Sequence, residues 1–359
     1  MKGKGRARQD QMTSAERIAT ILSGQPIDRV PLFLFAKGFA VRNVGYPVAN
    51  IYDDPEKSFW AQVWTQEMYG NDEGQRLGYA AYGSMEFGGD VKFPSGEWAQ
   101  APIIRRFAVQ SEEDVWKLEL PDVKTAGILP LMIEFSKLQE KFGHTIQPSF
   151  VSPFQSAGNI ASVDRLCRWM IKKPELAHRL LRLATDHILD MMRYFVDTFG
   201  PERLRPWEGA ASDANQIISA KHFEEFCLPY LKELHEKILA MGVKHIFCHI
   251  CGEQNLNLPY WAQVPMGDPG IVSFGHEVDL TTAIKYFGDT CIIAGNIEPA
   301  AIQTGTPQQV YELCRQAIEK AKYAPRGFIL EPGCELSPMS PPYNVYTMKK
   351  AINDFGWYD

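Results

Sequence analysis

A histidine and two cysteines are the residues of this chain whose types and spacing best suit metal chemistry. His249 and Cys251 are one residue apart at the end of an apolar run, and Cys334 lies far downstream after another. Side chains alternate across a strand with a period of two, so a strand would direct His249 and Cys251 to the same side. Zinc favours thiolate and imidazole ligands, and three protein ligands leave its fourth position open for catalysis. The spacing therefore predicts a catalytic zinc site.

The same three residues also have a metal-free interpretation. Cysteine is among the most buried residue types, and a histidine can be satisfied within a core. Three neighbours offer alternative ligands: His245, Cys248 and His276. Cys248 would point away from His249, since adjacent side chains on a strand face opposite sides. The zinc interpretation depends on a fold that brings the two half-sites, His249 with Cys251 and the distant Cys334, close together.

The pattern of the rest of the chain predicts such a fold. Eight short apolar runs bounded by turn residues predict strands at residues 31–35, 77–82, 145–151, 204–208, 245–249, 271–274, 291–294 and 327–330. Helical patterns lie between most of them, at residues 162–170, 174–199, 220–241, 280–287, 307–323 and 342–355. This alternation predicts parallel βαβ units, and eight strands predict an α/β fold of the closed (β/α)8 TIM-barrel type. The active site of such a barrel lies at the carboxyl ends of its strands, where both half-sites would meet.

We predict one barrel domain over residues 13–359, with two segments that depart from the alternation. Residues 1–12 are basic and polar without an apolar stretch, which predicts a disordered tail and not a signal peptide. Thr13 and Glu16 predict a capping box at the start of an N-terminal helix. The segment 86–123 is interpreted as an inserted hairpin and helix over the barrel mouth, with a plain surface loop as an equal alternative.

Composition and charge narrow the classes of partner. The chain has 359 residues, of which 45% are hydrophobic, enough to bury a large core. A formal net charge of -6 without a basic stripe argues against nucleic acid as a partner. No run of 18 apolar residues is present, so no membrane span is predicted. The seven cysteines form no regular framework, which predicts free thiols and a cytoplasmic location.

Three segments carry a resemblance to a known family: His-Ile-Cys-Gly at 249–252, Ala-Gly-Asn-Ile-Glu-Pro at 294–299, and Gly-Phe-Ile-Leu-Glu-Pro-Gly-Cys at 327–334. Residues 16–17, 28–31 and 219–230 extend it over nearly the whole chain. The chain resembles the uroporphyrinogen decarboxylase superfamily. It is most similar to the zinc-dependent branch, the methylcobamide:coenzyme M methyltransferases and related corrinoid-linked methyltransferases.

The resemblance implies the same barrel and a zinc ion held by His249, Cys251 and Cys334. It also implies methyl transfer between a corrinoid, such as methylcobalamin, on a corrinoid-binding partner protein and a small molecule. That molecule would be a thiol acceptor or a methylated or methoxylated donor, as in an O-demethylase. Zinc would hold a thiol as its nucleophilic thiolate, or polarise the oxygen of a methyl ether. The oligomeric state stays open, with a homodimer as one option.

Departures from the decarboxylases define the alternatives. The resemblance implies that those enzymes need arginines after the first strand and an aspartate after the second. Here residues 35–42 are Phe-Ala-Lys-Gly-Phe-Ala-Val-Arg, and residues 78–83 contain no aspartate. Porphyrinogen decarboxylation is therefore the weaker enzymatic alternative. The alternative from a different class is a non-catalytic partner of a corrinoid protein with a structural zinc.

Further side chains at or beside strand ends are candidates for the pocket and for catalysis. Six aromatic residues are predicted to line a substrate cage, with barrel core as the alternative: Phe35, Phe39, Tyr79, Tyr82, Trp207 and Phe274. Glu208 and Asp213 follow the fourth strand, and either is predicted as a fourth zinc ligand, a partner of a ligand or a proton donor. Asn296 is predicted to bind substrate or to hold its loop. Three carboxylates are weaker candidates: Glu298, Glu331 and Glu335.

Overall fold

The computed structural model describes residues 9–96, 98–99 and 101–358. The antiparallel strands β1 (Asp90–Lys92) and β2 (Ile103–Arg106) form a hairpin. A parallel sheet follows in chain order: β3 (Ser149–Val151), β4 (Trp207–Ala210), β5 (Phe247–Ile250), β6 (Gly270–Phe274), β7 (Cys291–Ile297) and β8 (Phe328–Pro332). The helices are α1 (Ser14–Leu22), α2 (Lys37–Asn43), α3 (Asn50–Asp53), α4 (Pro55–Tyr69), α5 (Glu112–Lys117), α6 (Leu129–Lys141), α7 (Pro153–Ala161), α8 (Val163–Lys172), α9 (Pro174–Phe199), α10 (Ala220–Phe226), α11 (Leu228–Ala240), α12 (Leu258–Trp261), α13 (Leu280–Phe287), α14 (Pro299–Thr304), α15 (Pro307–Ala321) and α16 (Pro342–Phe355). None of these helices combines the length and the apolar composition that crossing a bilayer requires.

Two less regular segments close the parallel sheet into a barrel. Leu32 forms a single parallel bridge with Leu330 of β8, and the Phe33 N–H donates to the Leu330 carbonyl at 2.9 Å. The Asp72 N–H donates to the Leu32 carbonyl at 2.7 Å. The first predicted strand, at residues 31–35, therefore occupies its expected place beside β8. The predicted α/β barrel is confirmed, with six regular strands and two irregular ones.

The second predicted strand, at residues 77–82, is wrong. Its last three residues lie in turns, and the barrel position belongs to the segment around Asp72 and Gln75. The side-chain amide of Gln139, a buried residue of α6, donates to the carbonyls of Gln75 at 2.6 Å and Thr145 at 3.0 Å. This amide links the second barrel segment to the residues just before β3, where direct backbone hydrogen bonds would join two regular strands.

Replacement of Gln139 by leucine is expected to lower the free energy of unfolding by about 1–3 kcal/mol, because two carbonyls inside the fold lose their donor. Urea denaturation followed by circular dichroism measures the change. Gln263→Leu is the matched control, since that exposed amide donates only to the Pro259 carbonyl, which water can replace. Equal losses in the two variants would contradict a closing role for Gln139.

Apolar side chains fill the barrel below the carboxyl ends of the strands. One buried cluster contains Phe33, Phe247, Ile271, Ile292 and Ile329 together with Ile18 and Ile21 of α1. The predicted capping box of Thr13 and Glu16 begins α1 and is confirmed. Because α1 packs against the lower layer, the carboxyl ends of the strands form the open end of the barrel.

The N-terminal segment is more ordered than predicted. Residues 1–8 of the predicted tail lie outside the described residues. Asp10 forms an ion pair with Arg29 at 2.7 Å, and the N–H groups of Gln11 and Met12 donate to the Asp28 carboxylate at 2.9 and 3.1 Å. These contacts hold Asp10 to Met12 against the barrel, in contrast to the predicted disorder.

The segment 86–123 contains the β1–β2 hairpin and α5. Phe93 packs against Tyr52 of α3 with 5.2 Å between ring centroids, and the Arg42 guanidinium of α2 lies 4.3 Å from the Trp98 ring. Both helices follow the carboxyl end of the first barrel segment. The hairpin therefore lies on the side of the barrel to which the strand ends open.

Candidate metal centre

Three donor groups meet at the carboxyl ends of β5 and β8. His249 is the penultimate residue of β5, Cys251 follows that strand directly, and Cys334 follows β8 by two residues. Their ligand atoms all lie within 4.8 Å of one another, and the two sulfurs are 3.7 Å apart. Tetrahedral zinc with Zn–S bonds of about 2.3 Å spaces two thiolates about 3.8 Å apart. Both thiols are free, so the sulfur spacing fits a shared metal and not a disulfide.

Backbone hydrogen bonds continue the strand ladders into the two ligand loops. The Cys251 N–H donates to the Ala210 carbonyl at 2.9 Å, and the Gly333 N–H donates to the Ile297 carbonyl at 2.7 Å. A Cβ on Gly333 would lie 2.8 Å from a backbone nitrogen of the loop after β6, which explains the glycine beside the ligand. Gly252 has a φ of +76°, a conformation that glycine adopts without strain. The sequence thus fixes the loops where the two half-sites converge.

Three contacts orient the imidazole of His249. Its Nδ1 lies 3.0 Å from the Ser273 hydroxyl, the Trp207 ring stacks on it at 5.9 Å, and the Phe35 ring meets it edge-on at 5.1 Å. Its Nε2 is buried and, apart from the thiol sulfurs that it faces, has no hydrogen-bond partner among the described residues. A buried nitrogen without a partner is costly, and coordination of a metal would satisfy it. The donor set therefore fits zinc in both chemistry and spacing.

The two thiols differ in acidity, because the Cys251 thiol donates a hydrogen bond to the Cys334 sulfur. A hydrogen bond from the Cys251 thiol, aided by His249, holds the pKa of Cys334 well below its usual range, against the opposing effect of burial. The same hydrogen bond and burial raise the pKa of Cys251. The geometry thus favours one thiolate before any metal binds, and a metal that takes both sulfurs displaces the second proton.

This site lies in a chain whose sequence matches one family over nearly its whole length. The family of uroporphyrinogen decarboxylase (URO-D) matches residues 13–355. The chain belongs to the URO-D family. The predicted resemblance is confirmed.

Among the relatives of this URO-D family member are methyltransferases, and one of them matches along nearly the full chain. Methylcobamide:CoM methyltransferase MtbA of Methanosarcina acetivorans is 25% identical over 353 residues, covering 96% of this chain and 99% of that protein. A methylated-thiol–coenzyme M methyltransferase of Methanosarcina mazei is 29% identical over 223 residues, covering 60% of this chain and 57% of that protein. A solved methyltransferase structure from Methanosarcina mazei has a TM-score of 0.80 at 21% identity and covers 96% of this chain and 99% of its own. These likenesses confirm the barrel and the methyltransferase type of enzyme.

The predicted aromatic cage is only partly present in this URO-D family member, and it is filled. Phe35 and Trp207 face the barrel interior beside His249, but the Arg76 guanidinium lies 4.6 Å from the first ring and 4.4 Å from the second. Arg76 is also ion-paired with Glu73. The two rings therefore bind an arginine of the chain itself and do not form an open cage for an apolar substrate.

The other four predicted cage residues belong to the outer core of the barrel. Their ring partners are Tyr69 for Phe39, Tyr52 for Tyr79, His187 for Tyr82, and Phe287 for Phe274. None of these partners is a ligand residue. The structure therefore supports the core alternative for all four.

The two predicted catalytic carboxylates are both buried and hydrogen-bonded to other side chains of the chain. Glu208 accepts a hydrogen bond from His235 of α11 at 2.6 Å, and the Cys248 thiol donates to the same oxygen at 3.4 Å. Asp213 accepts from the Ser152 hydroxyl at 2.8 Å, and burial raises the pKa of Asp213 to about 7. Glu208 is turned away from the three ligands in this geometry, because it alternates with the inward-facing Trp207 on β4. The role predicted for Asp213 stays a prediction.

Asn296 holds a loop, which is one of its two predicted roles. Its side-chain amide donates to the carbonyls of Gly275 at 3.0 Å and Val278 at 2.6 Å, in the loop after β6. Among the weaker candidates, Glu335 pairs with Lys37 at 3.2 Å beside the ligand Cys334. These contacts support the walls of the site.

Sequence reasoning missed Ser273 as a contact of His249. The available signal was a single polar side chain in an apolar run, since Ser273 shares a face of β6 with Ile271 and lies opposite His249 of β5. Arg76 gave no such signal, because it lies in a segment without regular structure.

Proposed function

We propose that this chain is a zinc-dependent methyltransferase that moves a methyl group between a corrinoid on a partner protein and a small molecule. The observation that carries the proposal is the convergence of His249, Cys251 and Cys334 at the open end of the barrel with a spacing suited to zinc. The relatives named for methylcobamide, coenzyme M and a methylated thiol support the same chemistry.

The three side chains would supply three of four tetrahedral positions. Zinc in that site would lower the pKa of a bound thiol and present it as a thiolate to a methyl group. Cys251 and Cys334 are partly exposed, whereas His249 is 3% exposed. The accessible side of the site is therefore the sulfur side, and His249 anchors it from within the barrel.

A thiol acceptor is the favoured substrate, and a methylated or methoxylated donor is the alternative. A thiol sulfur and an ether oxygen would use the same fourth position, so the two directions share one site. The name of the relative that acts on methylated thiols favours sulfur. The corrinoid would approach from the open end, because the barrel interior below is filled with buried side chains.

The described residues argue against a purely structural zinc. Structural zinc sites take four protein ligands. Within residues 9–96, 98–99 and 101–358, the metal-binding group contains three residues, and Glu208 is engaged elsewhere by His235. Porphyrinogen decarboxylation is not supported by the site either, since Lys37 after the first barrel segment is paired with Glu335.

A cytoplasmic location is part of the proposal. All seven cysteines are free, including four that are buried. Reduced thiols and a thiolate-bound zinc are compatible with a reducing compartment.

Removal and return of the metal test the proposal. The purified chain is expected to contain about one zinc ion per molecule and to demethylate methylcobalamin in the presence of a thiol, followed by absorbance. Chelation should abolish the transfer and zinc should restore it, whereas magnesium should not, because magnesium prefers oxygen ligands. A zinc-free chain that transfers methyl at the full rate, or that releases carbon dioxide from a porphyrinogen, would contradict the proposal.

A further inference from the structure

The two sulfurs of the candidate metal site are also placed to react with each other. All seven cysteines of the chain are free, and four of them are buried. Cys251 and Cys334 are partly exposed, and their sulfurs lie 3.7 Å apart, at van der Waals contact. Two accessible thiols in contact are the reactants of a disulfide. Its formation requires that the chain itself, and not only a metal, holds the sulfurs together.

Close contacts between three loops provide that support. Cys251 follows β5 and Cys334 follows β8, and these two strands are separated in the sheet by β6 and β7. The loop after β6 touches both ligand loops. A Cβ on Gly275 of that loop would lie 3.0 Å from the Gly252 nitrogen, and a Cβ on Gly333 would lie 2.8 Å from another nitrogen of the same loop. Glycine permits such close approach of backbones, so protein contacts alone keep the two sulfurs near each other.

A small movement would close the pair. A disulfide has an S–S bond of about 2.05 Å, so the two sulfurs must approach each other by roughly 1.7 Å. Rotation about χ1 moves the sulfur of a cysteine while its backbone stays in place. Neither Cys251 nor Cys334 is held by complete burial, so both side chains have room for this rotation.

The hydrogen bond between the two thiols sets the order of the chemistry. The Cys251 thiol donates to the Cys334 sulfur, which stabilises negative charge on Cys334 and makes it the nucleophile. With hydrogen peroxide as the oxidant, the Cys334 sulfur attacks the O–O bond, an S–O bond forms, and the displaced hydroxide takes up a proton to become water. The Cys251 sulfur then attacks the resulting sulfenic acid. The S–S bond forms, the S–O bond breaks, and the Cys251 proton leaves with the hydroxide as a second water.

We propose that Cys251 and Cys334 are a reversible redox pair, in which peroxide links the two sulfurs and the disulfide excludes the metal. The redox pair rests on the proposed zinc function. A disulfide offers no thiolate to zinc, so His249 would remain as one ligand of three. A small thiol, the class of acceptor proposed above, would reopen the site by exchange: its thiolate attacks one sulfur to form a mixed disulfide, and a second thiol molecule releases it. Metal occupancy would therefore follow the redox state of the thiol that the site uses.

Peroxide treatment of the chelated chain tests the disulfide. One equivalent of hydrogen peroxide is expected to remove two hydrogen atoms per chain by intact mass spectrometry, and a digest without reductant should contain the peptide that joins Cys251 to Cys334. Cys334→Ala should give no such crosslink. Cys167→Ala removes the other partly exposed cysteine and should crosslink as the parent does. Oxidation of Cys167 ahead of the pair, or a sulfinic acid at Cys334 without a crosslink, overturns the redox pair.

Zinc binding connects the crosslink to the metal. The crosslinked chain should bind zinc more than about 100-fold more weakly than the parent, because it lacks two ligands, where loss of a residue that supports a ligand costs 10–100-fold. Competition with a chromogenic chelator measures the affinity, and 2-mercaptoethanol should restore it. A crosslinked chain with an affinity within twofold of the parent overturns the redox pair. A parent chain that binds no zinc contradicts the proposed function and the redox pair together, whereas a zinc-binding chain that forms no crosslink contradicts the redox pair alone.

Discussion

Replacement of Cys334 by alanine is expected to remove zinc from the purified chain and to lower methyl transfer by more than about 100-fold, beyond the loss typical for a residue that only supports a ligand. The remaining donors, His249 and Cys251, would hold a metal through two contacts in place of three. Metal analysis and the demethylation of methylcobalamin with a thiol measure the two effects. The fold should be retained, since Cys334 lies in a loop that is pinned through the backbone of Gly333.

The specificity of that result depends on two further variants. Cys334→Ser should also lose zinc, because a serine hydroxyl stays protonated at neutral pH and zinc prefers the thiolate. Cys167→Ala removes a half-buried free cysteine of α8 and should retain both zinc and transfer. If Cys334→Ala and Cys167→Ala behaved alike, Cys334 would have no role in metal binding.

The helices that the sequence predicts best are those with strong end signals. The predicted bounds of α9, α13 and α16 coincide with the observed ones. α9 and α16 begin at a proline, α13 begins after a capping aspartate, and a glycine follows each of the three. The predicted helix at 220–241 is instead two helices, α10 and α11, separated at Cys227.

The second barrel position could not be found from hydrophobic pattern. Residues 71–76 are Asn-Asp-Glu-Gly-Gln-Arg, which predicts a loop. Most of them are buried because their polar groups bond to distant parts of the chain, as the Asp72 carboxylate does with Arg17 and the Gln75 backbone carbonyl does with Gln139. Residues 77–82 are apolar enough to resemble a strand, yet they pack outside the barrel. Periodicity detects apolar burial and does not detect burial through ion pairs.

The part of the site that could be predicted from the sequence is the part that depends on the alternation of side chains along one strand. His249 and Cys251 face one side, as the spacing of two requires. Glu208 was predicted on the wrong face of β4. Its neighbour Trp207 faces the interior, and a shift of one residue along a strand reverses the face. The register between β4 and β5 distinguishes the two residues: Trp207 pairs with the inward-facing Phe247, and Glu208 pairs with Cys248.

The buried ion-pair cluster at Asp72 carries the largest stability effect that we expect. Its carboxylate accepts from Arg17 at 2.6 Å, from Arg29 at 2.8 Å and from the Leu32 N–H at 2.9 Å, and its side chain is 0% exposed. Asp72→Asn keeps the shape but leaves two buried guanidinium groups short of one negative charge. The free energy of unfolding should fall by about 3–5 kcal/mol, the range for breaking a buried pair on one side.

Urea denaturation of Asp72→Asn measures that loss, with Asp289→Asn as the control because Asp289 is exposed at the end of α13. A loss below about 1 kcal/mol, the contribution of an exposed ion pair to stability, would contradict the role of the cluster.

The same variant tests whether the first barrel segment supports the metal site. Asp72 holds the backbone of Leu32, and three residues later Phe35 meets the His249 ring, so loosening the first barrel segment should also weaken zinc binding. Zinc affinity that is unchanged while stability falls would show that Trp207 and Ser273 hold the histidine without that segment.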